Sequence, residues 1–177
     1  MTLPLEWIRE QFPALRRGDA VYLDNAAGAQ VPQQVIGRMS EALGTMQVNK
    51  GGTYPQSERI TAAKERVRAQ VAAFVGAAQP EDIAFGPNAT TLVELLAGAV
   101  GRSLEPGDEI VVTGLDHHAN IDPWRRLAER GAVLRSWTPR PPGGLEPADL
   151  EPLLNERTRW LALTAASNAL GSLAPLG

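Results

Sequence analysis

The feature that most constrains the fold is an alternation of short apolar runs with segments of helical periodicity. The apolar runs predict strands at residues 21–24, 82–86, 109–114, 132–137 and 158–165. The intervening segments predict helices at residues 57–75, 89–100, 123–130 and 147–154. Strands separated by single helices form βαβ units. The sequence therefore predicts an α/β fold with a mainly parallel sheet and helices on both faces.

The first long helix is predicted from apolar residues spaced three and four apart, which lie on one face of a helix. They are Ile60, Ala63, Val67, Val71 and Phe74. Ser57 stands at the start of this segment and is the predicted N-cap.

Composition excludes several classes of function. The chain has 177 residues, 44% hydrophobic content and a net charge of −3, and its basic residues form no cluster. We therefore expect no nucleic-acid partner and no binding to an anionic membrane. No apolar run approaches the roughly 18 to 20 residues that span a bilayer, so a cytoplasmic protein is expected. The absence of cysteine excludes disulfides and a nucleophilic thiol within this chain.

The last predicted strand is followed by ASNALGSLAPLG rather than by a helix that would cover the sheet. The sheet is thus expected to be incomplete. The sequence predicts the front part of a larger protein.

Ligands of open α/β sheets bind at the carboxyl ends of the strands, so the loops there are the candidate sites. GPNATTL places Asn88 before a predicted helix whose first turn holds Thr90 and Thr91. Free N–H groups at a helix N-terminus, together with a hydroxyl, can bind a phosphate. Equally, Asn88 can be a plain N-cap and the threonines ordinary first-turn residues.

Two other loops carry amide side chains. AASNALG contains Ser167 and Asn168, which can cap or close a turn, and Gly171, which adds flexibility. Asn25 in DNAAG is either turn chemistry or part of a site, since the small residues after it would let a ligand approach the backbone.

The sequence has only two histidines, and both follow an aspartate in LDHHANIDPW, as Asp116, His117 and His118. They could ligate a metal, act as acid and base, or offer an imidazole face to a flat ring. Adjacent residues on extended backbone point in opposite directions, so at most one histidine is expected to face a shared site. A closed structural metal site is out of reach without cysteine, although carboxylates could complete a Mg²⁺ or Mn²⁺ site.

Taken together, the loops resemble pyridoxal-phosphate (PLP) enzymes of the class V aminotransferase group, and most closely the cysteine desulfurase and selenocysteine lyase branch. The strings that carry the resemblance are YLDNAAGAQVPQQVI, FGPNATTLVELLA, DEIVVTGLDHHANIDPW and TRWLALTAASNALGSLAPL. Their order and spacing agree over essentially the whole chain. The Gly-Gly segment NKGGTYP is similar to that of a desulfurase-like subgroup.

The resemblance implies a role for each candidate residue. His117 would stack on the pyridine ring of PLP and carry protons as the catalytic residue. The amide of Ala89 and the hydroxyl of Thr90 would bind the phosphate, and Asn168 would bond the phenolic oxygen of the cofactor. Asn25 would line the substrate side, and His118 is expected to be structural.

The resemblance also implies the fold type I large domain, an amino-acid substrate and a homodimer. Residues 1–20 would be an N-terminal segment on the small-domain side, and residues 21–177 the N-terminal part of the PLP-binding large domain. The family's Schiff-base lysine matches neither Lys50 nor Lys64, so the chain alone is expected to be inactive. NKGGTYP has no histidine where the desulfurase branch often carries one, which argues against sulfur transfer.

Two other classes of function compete. A metal-dependent phosphoesterase of the Asp-His-His type would need a second acidic residue where the chain has Asn25 and two alanines. A truncated relative could instead serve as a non-catalytic interaction or dimerisation module. Within the enzyme class, desulfuration, deselenation, transamination and other lyase chemistry stay open.

Overall fold

The structure is a computed structural model that describes residues 3–16 and 21–176. The chain divides into two compact units, Met1–Ala84 and Phe85–Gly177. The domain boundary predicted after residue 20 falls beside residues 17–20, which lie outside the described residues. Within the described ranges, no helix combines the length and the apolar character that a bilayer crossing requires.

The first unit is helical in its described part. Its helices are α1 (Leu5–Glu10), α2 (Gln33–Thr45) and α3 (Pro55–Val75), with 3-10 turns at Pro13–Leu15 and Pro80–Asp82. The long helix α3 ends at Gly76, whose φ of 72° lies in the left-handed region that a glycine adopts without strain.

Ser57 is not the N-cap of α3, contrary to the sequence prediction. The helix begins two residues earlier, at Pro55, with Tyr54 as its extended N-cap. Proline suits the first helical position because its φ is already helical and no N–H is left unbonded there. Ser57 is instead buried. Its hydroxyl donates to the Asn49 carbonyl at 2.6 Å and accepts the Gly52 N–H at 2.7 Å, which fixes the loop before the helix.

The second unit is built on a parallel three-stranded sheet. Its strands are β1 (Glu109–Thr113), β2 (Val133–Trp137) and β3 (Thr158–Ala162), in the order β2-β1-β3. Both pairs of neighbours are parallel. This sheet confirms the predicted α/β class, and it brings the carboxyl ends of all three strands to one edge.

The central strand is buried on both faces, as its uninterrupted apolar run predicts. Ile110 and Val112 belong to a core that also includes Ala97 of helix α4 (Ala89–Val100). Val111 points to the other face, where it packs with Trp137 and further apolar side chains. The sheet therefore has a separate apolar core on each face.

The boundaries of α4 are those predicted from the sequence, whereas the two later helices are shorter. One is α5 (Asp122–Arg125), which continues as a 3-10 turn over Arg126–Arg130. The other is α6 (Pro147–Leu150), followed by a 3-10 turn over Glu151–Leu153. Pro152 has no N–H to donate back along the helix, which explains why α6 stops.

Two predicted strands, residues 21–24 and 82–86, are not strands. Asp82 belongs to a 3-10 turn, and the N–H of Ile83 donates to the Pro80 carbonyl at 3.1 Å. An apolar run becomes a strand only where a neighbouring strand bonds its backbone. Within the described residues, neither segment has such a neighbour.

The amino end of β1 is held by a charge clamp, formed by the Glu109 carboxylate with Arg135 and Asn155. Arg135 donates to the Glu109 carboxylate through Nε at 3.0 Å and Nη2 at 2.8 Å, and Asn155 Nδ2 donates to it at 2.8 Å. These hydrogen bonds, that from Arg135 first, lower the pKa of Glu109 to about 2. The clamp lies at the end of the strand opposite to the candidate loops.

Candidate functional site

Four of the five predicted site residues lie in the second unit. His117 follows β1, Asn168 follows β3, and Ala89 and Thr90 open helix α4. Since β1 and β3 are parallel neighbours, the loops that follow them leave the same edge of the sheet. The fifth residue, Asn25, lies in the first unit.

The N-terminus of α4 lies toward the same edge. Only residues 101–108 join the end of α4 to the start of β1, and Ala97 packs in one core with Ile110 and Val112. The helix therefore runs back along β1. Twelve helical residues span ~18 Å and a five-residue strand spans ~17 Å, so the helix begins near the level at which β1 ends.

The first turn of α4 serves both as a cap and as an open donor site. Asn88 Oδ1 accepts the Thr91 N–H at 2.8 Å, and the Asn88 carbonyl accepts the Leu92 N–H at 3.2 Å. In the described part of the chain, the N–H groups of Ala89 and Thr90 have no acceptor. The two alternative interpretations of this loop are thus compatible, because the cap leaves two exposed donors at the positive end of the helix.

Three hydrogen bonds, each donated by a backbone N–H, hold His117 in place. Its N–H donates to Asp116 Oδ1 at 2.9 Å, and its carbonyl accepts the Asn120 N–H at 2.8 Å. Its ring nitrogen Nδ1 accepts the Ala119 N–H at 3.0 Å, so the neutral ring carries its proton on Nε2. The exposed imidazole has no Nε2 partner among the described residues.

A chain of side-chain hydrogen bonds joins this loop to the core. Asn120 Nδ2 donates to Asp116 Oδ2 at 2.7 Å, and Trp124 Nε1 donates to Asn120 Oδ1 at 3.2 Å. Trp124 is only 1% exposed, and its ring stacks on Trp160 with centroids 5.3 Å apart. Sequence reasoning missed this connection, although the four-residue spacing of its three members was a signal for it.

His118 does not share the surroundings of His117. Its ring Nδ1 lies 3.4 Å from the Asp122 carboxylate, and its side chain is 78% exposed. The histidine pair therefore divides into one ring beside the carboxyl edge and one paired with an aspartate on the surface.

The loop after β3 leaves the Asn168 side chain free, because Ser167 forms the turn. Ser167 is buried, its hydroxyl accepts the Leu170 N–H at 3.2 Å, and its N–H donates to the Ser172 carbonyl at 2.9 Å. Gly171 closes the turn with a φ of 71°. Asn168 itself is exposed, and its amide makes no hydrogen bond within residues 3–16 and 21–176.

Thr113 is a further polar residue at this edge. It ends β1 and is fully buried, and its hydroxyl has no partner in the part of the chain that is described. Its position at the end of the apolar run EIVVT was the sequence signal, but a threonine there is also an ordinary strand residue.

Asn25 lies on a turn of the first unit. The Tyr22 hydroxyl is 2.6 Å from the Gly28 carbonyl oxygen and 2.9 Å from that of Asp24, which holds the turn closed. Asn25 is exposed on this turn.

This geometry can be compared with known proteins. The family model described as Aminotransferase class-V matches residues 21–177. The chain belongs to this family. The family resemblance inferred from the sequence motifs is therefore confirmed, and with it the fold type I assignment.

A cysteine desulfurase of Pectobacterium carotovorum is 43% identical over 99% of the chain. The apo structure of cysteine desulfurase from Thermococcus onnurineus has a TM-score of 0.89 and 31% identity, and the match covers 99% of this chain. The chain spans 45% of the first protein and 43% of the second.

A more distant fold neighbour is a C-DES variant with glycine covalently linked to its PLP cofactor. It has a TM-score of 0.75 and 22% identity, and the match covers 95% of this chain and 43% of that one. The cysteine desulfurases of this family are PLP-dependent. Family membership argues against the metal phosphoesterase alternative. Within the described ranges, no three His, Asp or Glu side chains are grouped to hold a metal ion.

Proposed function

We propose that this chain forms part of the PLP-binding domain of a cysteine desulfurase-like enzyme that acts on an amino acid. The observation that carries the proposal is the pair of unbonded N–H groups, on Ala89 and Thr90, at the same edge as His117 and Asn168. The two N–H groups suit a phosphate, the imidazole of His117 suits a flat ring, and the amide of Asn168 suits a ring oxygen. Residues 1–20 would lie on the small-domain side, and residues 21–177 would belong to the large domain.

The phosphate would be bound at the start of α4. The N–H groups of Ala89 and Thr90 and the Thr90 hydroxyl are exposed donors, and the helix dipole favours an anion there. Asn88 is already used as the cap, so it holds the turn in shape and does not bind the ligand.

His117 would lie flat against the ring and hold a proton on Nε2. Its Nδ1 accepts the Ala119 N–H, so the ring would present its Nε2–H to the ligand as a donor. Asn168 would donate its free amide to the ring oxygen, and Asn25 would line the substrate side. PLP, when bound, supplies the electron sink for a carbanion at the amino-acid α-carbon.

The phosphate site is tested with pyridoxamine 5′-phosphate, which does not react with lysine, and with pyridoxamine as the ligand without phosphate. Thr90→Val removes the hydroxyl at nearly constant shape. We expect it to weaken binding of the phosphorylated ligand by roughly 10- to 100-fold in calorimetry, since a hydrogen bond to a charged group is lost.

Thr91→Val is the matched control, because it removes a hydroxyl that lies one residue further along the helix, about 100° around its axis from that of Thr90. The Thr91 N–H is already bonded by Asn88 and is not available to the phosphate. The Thr91→Val variant should bind both ligands as the wild type does. Equal binding of the two ligands by the wild type would contradict the phosphate site, and so would a Thr90→Val variant with unchanged affinity.

The reaction is tested by formation of alanine and sulfide from L-cysteine, with the product of the complete reading frame that encodes this chain. A thiol reductant is included, because it supplies the two electrons that reduce the removed sulfur to sulfide. The missing histidine in NKGGTYP argues against sulfur transfer, whereas 43% identity to a cysteine desulfurase favours it. We therefore expect sulfide release from that product, and none from the 177-residue chain, because neither Lys50 nor Lys64 matches the family's lysine. Turnover of other amino acids without any sulfide would assign the protein to a different reaction of the family.

A homodimer is the proposed assembly. Large apolar side chains are exposed in both units, including Phe74 (89% exposed) on α3 and Leu95 on α4. Large exposed apolar side chains favour association. Sedimentation velocity should give a dimer, and a monomer that persists at high concentration would contradict this proposal.

A further inference from the structure

The hydrogen-bond chain behind the histidine loop suggests a role for a residue that touches no ligand. We propose that Asn120 is a positioning residue, which transmits the fixed orientation of the buried Trp124 to the imidazole of His117. The value of this role for catalysis rests on the proposed function, whereas the link itself belongs to the protein without ligand.

Asn120 is placed for this role because it bonds in both directions. Its side-chain amide donates to Asp116 at 2.7 Å, and its side-chain oxygen accepts from Trp124 at 3.2 Å. Its backbone N–H also donates to the His117 carbonyl at 2.8 Å. A single residue thus contacts the core, the aspartate and the histidine.

The series of hydrogen bonds from Asp116 through Asn120 ends in the close-packed core, at Trp124. Trp124 is buried and stacks on Trp160 of β3, and helix α4 also packs against the 3-10 turn His118–Asn120. A side chain in such surroundings is close-packed and sits in a low-energy rotamer. Asn120 Oδ1 therefore accepts from a donor, Trp124 Nε1, whose position is set by the packing of the core.

The hydrogen bonds that hold His117 depend on Asn120. Asp116 accepts the His117 N–H through one oxygen and the Asn120 amide through the other, so losing Asn120 releases the aspartate. The bond from the Ala119 N–H to His117 Nδ1 depends on the turn keeping its shape. That bond selects the Nε2–H form of the neutral ring, so the ring's tautomer reports whether the anchor is intact.

The test is NMR of the imidazole nitrogens in ligand-free protein. His118→Ala is used as the background, because the chain has only two histidines and the remaining ring signal is then that of His117. In this background we expect the Nε2–H tautomer to predominate over the Nδ1–H tautomer. Asn120→Ala should lower the ratio of the two tautomers roughly five-fold, the size expected for one hydrogen bond.

Asn120→Asp is the second variant. It keeps an acceptor for Trp124 but cannot donate to Asp116, so it should change the tautomer in the same direction. A purely structural residue would lower the melting temperature and leave the tautomer of the folded protein unchanged, which would overturn the proposal. Failure of both variants to fold would also overturn it, because Asn120 would then support the domain rather than the histidine.

Binding of pyridoxamine 5′-phosphate separates this inference from the proposed function. If the wild type binds the ligand, Asn120→Ala should weaken binding several-fold. If the wild type does not bind it, the proposed function fails, while the tautomer ratio still decides the role of Asn120.

Discussion

The loops after β1 and β3 follow neighbouring parallel strands, yet they are held in different ways. The β1 loop is anchored by side chains, from Asp116 through Asn120 to Trp124. The β3 loop is closed mainly by its backbone, through the bridge between Ala166 and Leu173 and the bonds around Ser167. A single substitution in the core can therefore loosen the first loop, whereas the second should resist the loss of one side chain.

The largest effect is expected from Trp124→Ala. Removing a fully buried, stacked indole from a core should cost about 3–5 kcal/mol of unfolding free energy. It should also release the His117 loop, because Asn120 loses its donor. Urea denaturation measures the first effect, and hydrogen exchange of the Ala119 amide measures the second.

Trp7→Ala is the control, since Trp7 is 60% exposed on α1. It should change the free energy of unfolding by less than about 0.5 kcal/mol. A Trp124→Ala variant that keeps slow exchange at Ala119 would break the comparison, because the loop would then be held without its anchor.

Glu109→Gln should have the next largest effect on the free energy of unfolding. It should leave the loops after β1 and β3 unchanged, because Glu109 lies at the opposite end of β1. The folded-state pKa of Glu109, about 2, lies below its ordinary value of 4.5. The carboxylate therefore stabilises the fold above pH 4.5, and this contribution is lost as the pH falls from 4.5 toward 2. Denaturation across that window should show wild type and variant converging at low pH.

Glu129→Gln is the matched control, because Glu129 is exposed and has no ion-pair partner within the described ranges. Its stability should follow that of the wild type at every pH. A constant difference between Glu109→Gln and the wild type from pH 7 to pH 2 would contradict the charge clamp.

The smallest effect is expected from Ser167→Ala. It removes one hydrogen bond, from the Leu170 N–H, while the backbone bonds of the β3 loop remain. The cost should be about 1 kcal/mol in urea denaturation, with the His117 ring signals unchanged. Ser136→Ala, on an exposed strand position, should cost less. A loss as large as that of Trp124→Ala would mean that the β3 loop also depends on one side chain.

The sheet could be predicted from the sequence where burial alone decides the structure. β1 is apolar at three successive positions and is buried on both faces, so this apolar run was enough to predict the strand. The run at residues 82–86 has a similar composition but no strand beside it within the described residues, and pairing cannot be read from one segment. Ser57 failed as a cap for a different reason, since Pro55 starts the helix earlier.

The candidate site was predictable as a set of loops but not as a set of contacts. Strand ends identified the loops of His117 and Asn168, and the helix start identified Thr90. The link through Asn120 depends on where the fold puts the Trp124 ring, which no local pattern specifies. Likewise, nothing in SNALG distinguishes the turn-forming Ser167 from the free Asn168 beside it.

The central claim is that His117, Thr90 and Asn168 surround one phosphorylated ligand. A titration with pyridoxamine 5′-phosphate, followed through the His117 ring signal and the amide signals of Thr90 and Asn168, tests it directly. The account predicts that all three signals shift along one binding curve with a single dissociation constant. Signals that stay in place, or that follow different curves, would contradict it.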